Sequence, residues 1–158
     1  MKVLDIMRRE VMVCTAESTL QSAGRHMAEA DCGVLPVVDE HSRVVGMLTD
    51  RDICITLALR DRKPSDVTVR QAMSGDVYSC RVGDELREAL ATMRQRRVRR
   101  LPVVDADRHL AGILSLDDVV LEARALEGPG FTGPVYGDIA ETLKAICAQP
   151  VPAVSGAG

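Results

Sequence analysis

Leu35-Pro36-Val37-Val38-Asp39 followed by Gly46-Met47-Leu48-Thr49-Asp50-Arg51-Asp52 decides the fold, because the chain repeats the pattern as Leu101-Pro102-Val103-Val104-Asp105 and Gly112-Ile113-Leu114-Ser115-Leu116-Asp117-Asp118. Each later residue stands 66 positions after its partner, and the same offset relates Met7, Leu20, Ala23 and Met27 to Met73, Leu86, Ala89 and Met93. A constant offset without gaps marks two copies of one supersecondary unit. Each copy is marginal in size for a core of its own, so the two are expected to fold against each other.

Outward from the quoted stretch, each copy reads strand, helix, strand, strand, helix, an α/β unit. In the first copy residues 11–14 are the expected opening strand. A helix follows from Leu20 through Met27, with Gly33 as its left-handed C-terminal residue. Residues 34–38 and 44–48 then form a hairpin, and Pro36 argues for an edge position or a late start of pairing. Thr49-Asp50 starts a helix whose Ile53 and Leu57 cover the sheet until Pro64 stops it.

The second copy follows suit. Asp84 and Glu85 are expected in the first turn of its helix, ahead of an apolar face of Leu86, Ala89, Leu90 and Met93. Residues 101–104 and 110–114 make the hairpin, and 117–126 the closing helix. The run from Gly128 to Pro134 breaks any helix, and Ile139, Leu143 and Ile146 then predict a short appended helix over 136–148. The division is therefore 1–63 for the first repeat, 64–126 for the second, and 127–158 for a tail with a short helix and a disordered end.

Composition narrows the functional classes. Hydrophobic residues are 46% of the chain but aromatics only 2%, so the core is aliphatic and there is no platform for stacking single-stranded bases. A net charge of −3 argues against nucleic acid as a partner. Five cysteines without a CxxC point to a reducing, cytoplasmic setting. Charge near the N-terminus leaves no signal-peptide pattern, and no stretch approaches the roughly 20 apolar residues of a membrane span.

Thr49 and Ser115 put a hydroxyl where a helix begins, and Asp52 and Asp118 follow one turn later, placed to accept hydrogen bonds from a ribose diol. The plainer alternatives are helix capping for the hydroxyls and solvent exposure for the carboxylates. His26, His41 and His109 are scattered and read as surface residues rather than metal ligands. Cys14 and Cys80 occupy equivalent strand positions and read as buried hydrophobes. No nucleophile elbow, phosphate-binding loop, dinucleotide fingerprint or metal cluster is present, so no catalytic residues are expected and the chain does not read as an enzyme.

The doubled Gly-apolar-apolar-Thr/Ser-x-x-Asp motif, placed after a Leu-Pro-Val-Val-Asp strand, resembles the CBS (cystathionine β-synthase) domain, two of which form a Bateman module. The resemblance spans roughly residues 2–123 and is similar to the small stand-alone bacterial CBS pairs. It implies a regulatory or sensor module that binds AMP, ADP, ATP or a related adenosine-containing ligand in the cleft between the repeats, with S-adenosylmethionine and NAD as further candidates and no required cofactor. It also implies a homodimer through apolar helix faces, with the tail helix a candidate contact, and a regulated protein partner.

The family's further Thr or Ser near the end of the opening strand falls on Ser79 in the second copy and on Val13 in the first. Ser79, Ser115 and Asp118 thus form the fuller set, and Thr49 and Asp52 go with Val13. The run from Arg94 to Arg100 replaces the segment from Ala28 to Val34, and Arg99 and Arg100 are candidate phosphate contacts. A solvated helix end explains the run equally well. These differences predict unequal sites, with the second-copy site the stronger nucleotide binder. The alternative function is a ligand-free structural or partner-binding pair.

Overall fold

The Thr19 hydroxyl accepts the Ser22 amide at 3.2 Å and starts α1 (Leu20–Glu29), which turns Leu20, Ala23 and Met27 inward. The computed structural model describes residues 1–125 and 129–148. After α1 come β1 (Val34–Val38), β2 (Val44–Thr49) and α2 (Asp50–Arg60). The second copy gives β3 (Cys80–Arg81), α3 (Leu86–Arg96), β4 (Arg100–Val104), β5 (Leu110–Ser115) and α4 (Leu116–Glu122), and α5 (Tyr136–Cys147) follows. The tail helix predicted from sequence is therefore present; its expected disordered end, residues 149–158, lies outside the described residues.

The left-handed residue after α1 is Asp31, at φ 46°, not Gly33, and its repeat partner Arg97 takes φ 56° after α3. Asp visits this region more readily than most residues. Gly33 lies instead against the start of α2, where a Cβ would come 2.8 Å from Oδ2 of the movable Asp50 side chain.

β1 pairs with β2, and β4 with β5, as antiparallel hairpins in matching register. The expected opening strand at 11–14 reduces to one bridge: the Cys14 amide donates to Pro36 O at 3.1 Å, and Cys14 O accepts the Val38 amide at 2.9 Å. In the second copy β3 is two residues long and lies parallel to β4. Pro102 consequently stands in the central strand of the β3-β4-β5 sheet rather than at an edge. It is tolerated because Ile113, opposite Pro102, turns both its backbone groups to Arg8, so the position of the missing N–H faces away from β5, and on that side β3 pairs only with Val103 and Val104, beyond the proline. Met47, opposite Pro36, does the same with Ser74.

Those two exchanges show how the copies are joined. The leading residues of the first copy complete the second core, where fully buried Val3 joins Leu86, Leu90, Leu101 and Leu114. The leading residues of the second copy complete the first core, where Val67 and Val69 join Leu20, Leu35 and Leu48. The crossing closes each hydrophobic cluster with chain from the other side of the repeat, which ties two marginal units into one structure.

Three helices depart from expectation. The closing helix stops at Glu122, because Arg124 leaves the helix to pair with the segment before α5, donating to Pro134 O at 3.1 Å and accepting from Tyr136 N–H at 2.9 Å. Asp84 and Glu85 precede α3 rather than occupy its first turn, and Glu85 is its N-cap. α2 meets the first core through partly buried Ile53 and Leu57, as expected, and leaves the neighbouring Ile55 and Leu59 exposed. α5 lies on α3 and sinks Ile139 and Ile146 into the second core, so the sequence expectation that they serve a dimer contact is wrong for these two side chains. Among the described residues no helix is long and apolar enough to cross a membrane.

Candidate functional site

Each Thr/Ser-x-x-Asp motif closes on itself at the junction of a strand and a helix. The Thr49 amide and hydroxyl both donate to Asp52 Oδ2, at 2.9 and 2.6 Å, and the Asp52 amide donates back to Thr49 Oγ1 at 3.1 Å. Ser115 and Asp118 repeat the arrangement at 2.9, 2.5 and 3.1 Å. This is a capping box, so the capping alternative read from sequence is correct as far as it goes. It also fixes each carboxylate with one oxygen committed and Oδ1 turned outward.

The two outward oxygens meet different surroundings. Asp118, only 7% exposed, receives the Arg8 Nε–H on Oδ1 at 2.8 Å. Burial works to raise the Asp118 carboxyl, but hydrogen bonds from Ser115 and Arg8 outweigh it and hold the group below its ordinary range. Arg8 corresponds by the 66-residue offset to Ser74, whose side chain is too short to play this part. Asp52 Oδ1 accordingly has no protein donor among the described residues.

Both motifs open into clefts between the copies. One cleft, of about 260 Å³, brings Thr49 and Asp52 together with Arg99, Arg100 and the acidic Asp76, and has walls of Val34, Met47, Tyr78 and Val98. The other, of about 280 Å³, holds Ser115 and Asp118 with Arg8 and Arg100, and adds the acidic side chains of Glu10, Asp31 and Asp117. These volumes lie near the lower end of small-molecule pockets, about 300 Å³. The Tyr78 ring in the first cleft is covered on one face by Arg96, whose guanidinium carbon lies 4.6 Å from the ring centroid.

Because the leading segments cross, the grouping expected from sequence is not the one assembled. Ser79 is exposed and Val13 half-buried, and neither lines a cleft; their neighbours Tyr78 and Met12 do, each opposite the other copy's motif. The arginine run was expected to serve Ser115 and Asp118, yet Arg99 lines the Thr49–Asp52 cleft and only Arg100 borders both. Arg100 is also 3.8 Å from Asp117 Oδ2, and Arg94 is diverted to Thr142 and Glu141 on α5. Each cleft thus carries two guanidinium groups, and the difference lies in the carboxylates: Glu10, Asp31, Asp117 and Asp118 in the cleft expected to be stronger, against Asp52 and Asp76 in the other.

Sequence reasoning missed Arg8, Ser74, Met47 and Tyr78. The visible signal was the Arg8-to-Ser74 difference between copies, which has no meaning until the segments are seen to cross. Asp105, Asp107 and His109 are the described group whose ligand atoms lie close enough for a cation, within 4.8 Å of one another. Asp105 Oδ1 there already accepts the Asp107 and His109 amides, at 2.9 and 2.8 Å, and shapes the hairpin turn. Asp39 does the same for His41 and Arg43 in the first copy.

Comparison with known proteins agrees with the repeat. The model of the CBS domain matches residues 3–58 and 69–124. Hypoxic response protein 1 of Mycobacterium tuberculosis is 34% identical over 143 residues, covering 90% of this chain and 92% of that protein. Protein MK0525 of Methanopyrus kandleri is 29% identical over 116 residues, 73% of this chain, which spans only 59% of its length. The crystal structure of Hypoxic Response Protein I with two coordinated zinc ions superposes with a TM-score of 0.70 at 31% identity, covering 77% of this chain and 98% of that one. CBSX2 in complex with AMP superposes at 0.66 and 26% identity, covering 77% and 94%. Two matched domains, near full-length similarity to a small relative and the observed hairpin-and-helix repeat place this chain in the CBS-domain family, as a tandem pair.

Proposed function

We propose that this CBS pair is a cytoplasmic regulatory module that binds an adenine nucleotide in the Thr49–Asp52 cleft and catalyses no reaction. The observation that carries the reading is Asp52 Oδ1: a carboxylate oxygen held in place by its own capping box, without a protein donor among the described residues, at an interrepeat cleft. A ribose diol supplies the missing donors. The apolar side chains of Val34, Met47 and Val98 and the ring of Tyr78 suit adenine, and Arg99 and Arg100 suit a phosphate. The AMP complex of CBSX2, a protein with the same fold, supports the ligand class.

A ligand that touches both copies favours one arrangement of them over others, which is the means by which such a module signals. A second copy of the chain is the proposed cover for the apolar side chains left on the outer helices. Leu59 is 82% and Leu121 78% exposed, and Ile55 on α2 is the repeat partner of Leu121 on α4.

Titration calorimetry with AMP, ADP, ATP, S-adenosylmethionine and NAD tests the reading. AMP binding is expected, weakened at least tenfold by Asp52→Ala and less by Arg99→Ala. Flat isotherms with all five ligands would leave the pair as a structural or partner-binding module.

A further inference from the structure

We infer that Arg8 occupies the ribose position of the Ser115–Asp118 cleft, so that one residue of the leading segment decides how many adenosine seats the chain offers. The inference rests on the proposed function of the Thr49–Asp52 cleft and extends it to the cleft related to it by the repeat.

The two clefts share backbone and motif and differ at the position that faces the carboxylate. Arg8 exchanges both backbone hydrogen bonds with Ile113, at 2.9 and 2.9 Å, and Ser74 exchanges both with Met47, at 3.1 and 2.9 Å. Each residue is therefore pinned beside the strand that leads into a Thr/Ser-x-x-Asp motif. From that fixed start a serine side chain ends short of the carboxylate, whereas an arginine reaches it. The Arg8 Nε–H sits 2.8 Å from Asp118 Oδ1, the oxygen whose counterpart on Asp52 is left open.

A guanidinium in this place supplies the donors that a ribose diol would bring. With Oδ2 held by Ser115 and Oδ1 by Arg8, Asp118 has both oxygens committed within the protein. A nucleoside would have to displace an ion pair, in which donor and acceptor are both charged, and return a bond whose hydroxyl donor carries no charge. Glu10, Asp31 and Asp117 in the same cleft further disfavour a phosphate, so an uncharged nucleoside is the ligand class that the uncovered seat would accept.

Arg8 is 66% exposed and Ser74 is exposed, so reciprocal exchange leaves both cores untouched. The test is calorimetric titration of adenosine into the full chain, with melting temperatures confirming that each variant is folded. Wild type is expected to bind one adenosine, lost with Asp52→Ala and kept with Asp118→Ala. Arg8→Ser is expected to bind two, the second lost with added Asp118→Ala, and Ser74→Arg is expected to weaken the first at least tenfold. Two sites in wild type, a single site in both wild type and Arg8→Ser, or unchanged affinity in Ser74→Arg each overturns the inference and leaves the Thr49–Asp52 reading standing. No binding by wild type with one site in Arg8→Ser upholds the role of Arg8 and overturns that reading. No binding by either overturns both.

Discussion

The carbonyl oxygen of Arg8 lies 2.5 Å from where a Cβ on Gly112 would be, so the leading segment crosses β5 at backbone distance and leaves no room for a side chain there. Gly112 is conformationally ordinary; what it contributes is the close approach. At the repeat partner, Gly46, the nearest atom is Met73 Sδ at 2.7 Å, part of a flexible side chain, and the backbone oxygen of Ser74 stands further off, at 3.0 Å.

Gly112→Ala is therefore expected to destabilise by about 1–3 kcal/mol, and Gly46→Ala by less. Urea melts of the two variants check the order. Equal, small losses would mean that the leading segment yields without cost. Because Arg8 itself must shift, Gly112→Ala is also expected to loosen its bond to Asp118.

The Arg8–Asp118 pair sets an acid dependence. The folded Asp118 carboxyl titrates below its ordinary 3.8, so its stabilisation is complete above that value and is lost as pH falls through the folded value. Wild type is expected to exceed Asp118→Asn in stability by a constant margin above about pH 5, with the margin closing in stronger acid. A margin indifferent to acid would show that the charge of Asp118 contributes nothing.

The cysteines divide by burial. Burial pushes the Cys14 thiol up to about 11 and, with Asp84 adding to it, the Cys80 thiol up to about 12, whereas Cys54 and Cys147 are exposed. Iodoacetamide at neutral pH followed by mass spectrometry is expected to modify Cys54 and Cys147 first, with Cys14 and Cys80 reacting only on unfolding. Early labelling of Cys80 would contradict its place in the second core.

Two apolar side chains on outer helices should behave oppositely. Ile139→Ala removes part of the second core and is expected to cost about 2–5 kcal/mol without changing the mass in solution. Leu59→Ser lies on exposed surface and is expected to change monomer stability by less than about 0.5 kcal/mol. If a second copy covers α2, light scattering will show the Leu59→Ser dimer dissociating at concentrations where wild type stays paired. A wild type that remains monomeric at high concentration removes that proposal.

Much of the fold was legible because its signals are local. Leu20, Ala23 and Met27 mark a helix face by spacing alone, and Thr49 with Asp52 writes a capping box within four residues. Gly33 misled because a glycine after a helix usually supplies the left-handed turn, whereas here Asp31 takes it and Gly33 lies against the Asp50 side chain. Pro102 misled because its tolerance in a central strand depends on where the neighbouring strand begins, and β3 starts at Cys80 and pairs only with Val103 and Val104.

By itself the sequence determined that one strand-and-helix unit is used twice and that each use ends in the same hydroxyl-and-carboxylate cap, since periodicity and hydrogen bonds to the third residue along are properties of neighbouring positions. Only the tertiary structure decided which leading segment faces which motif. The segments cross because each core is closed by the other's lead-in, with Val3 buried in one and Val69 in the other. That crossing sets Arg8 on Asp118 while Tyr78 and Arg99 line the cleft of Asp52, so the two matching caps end in unlike surroundings.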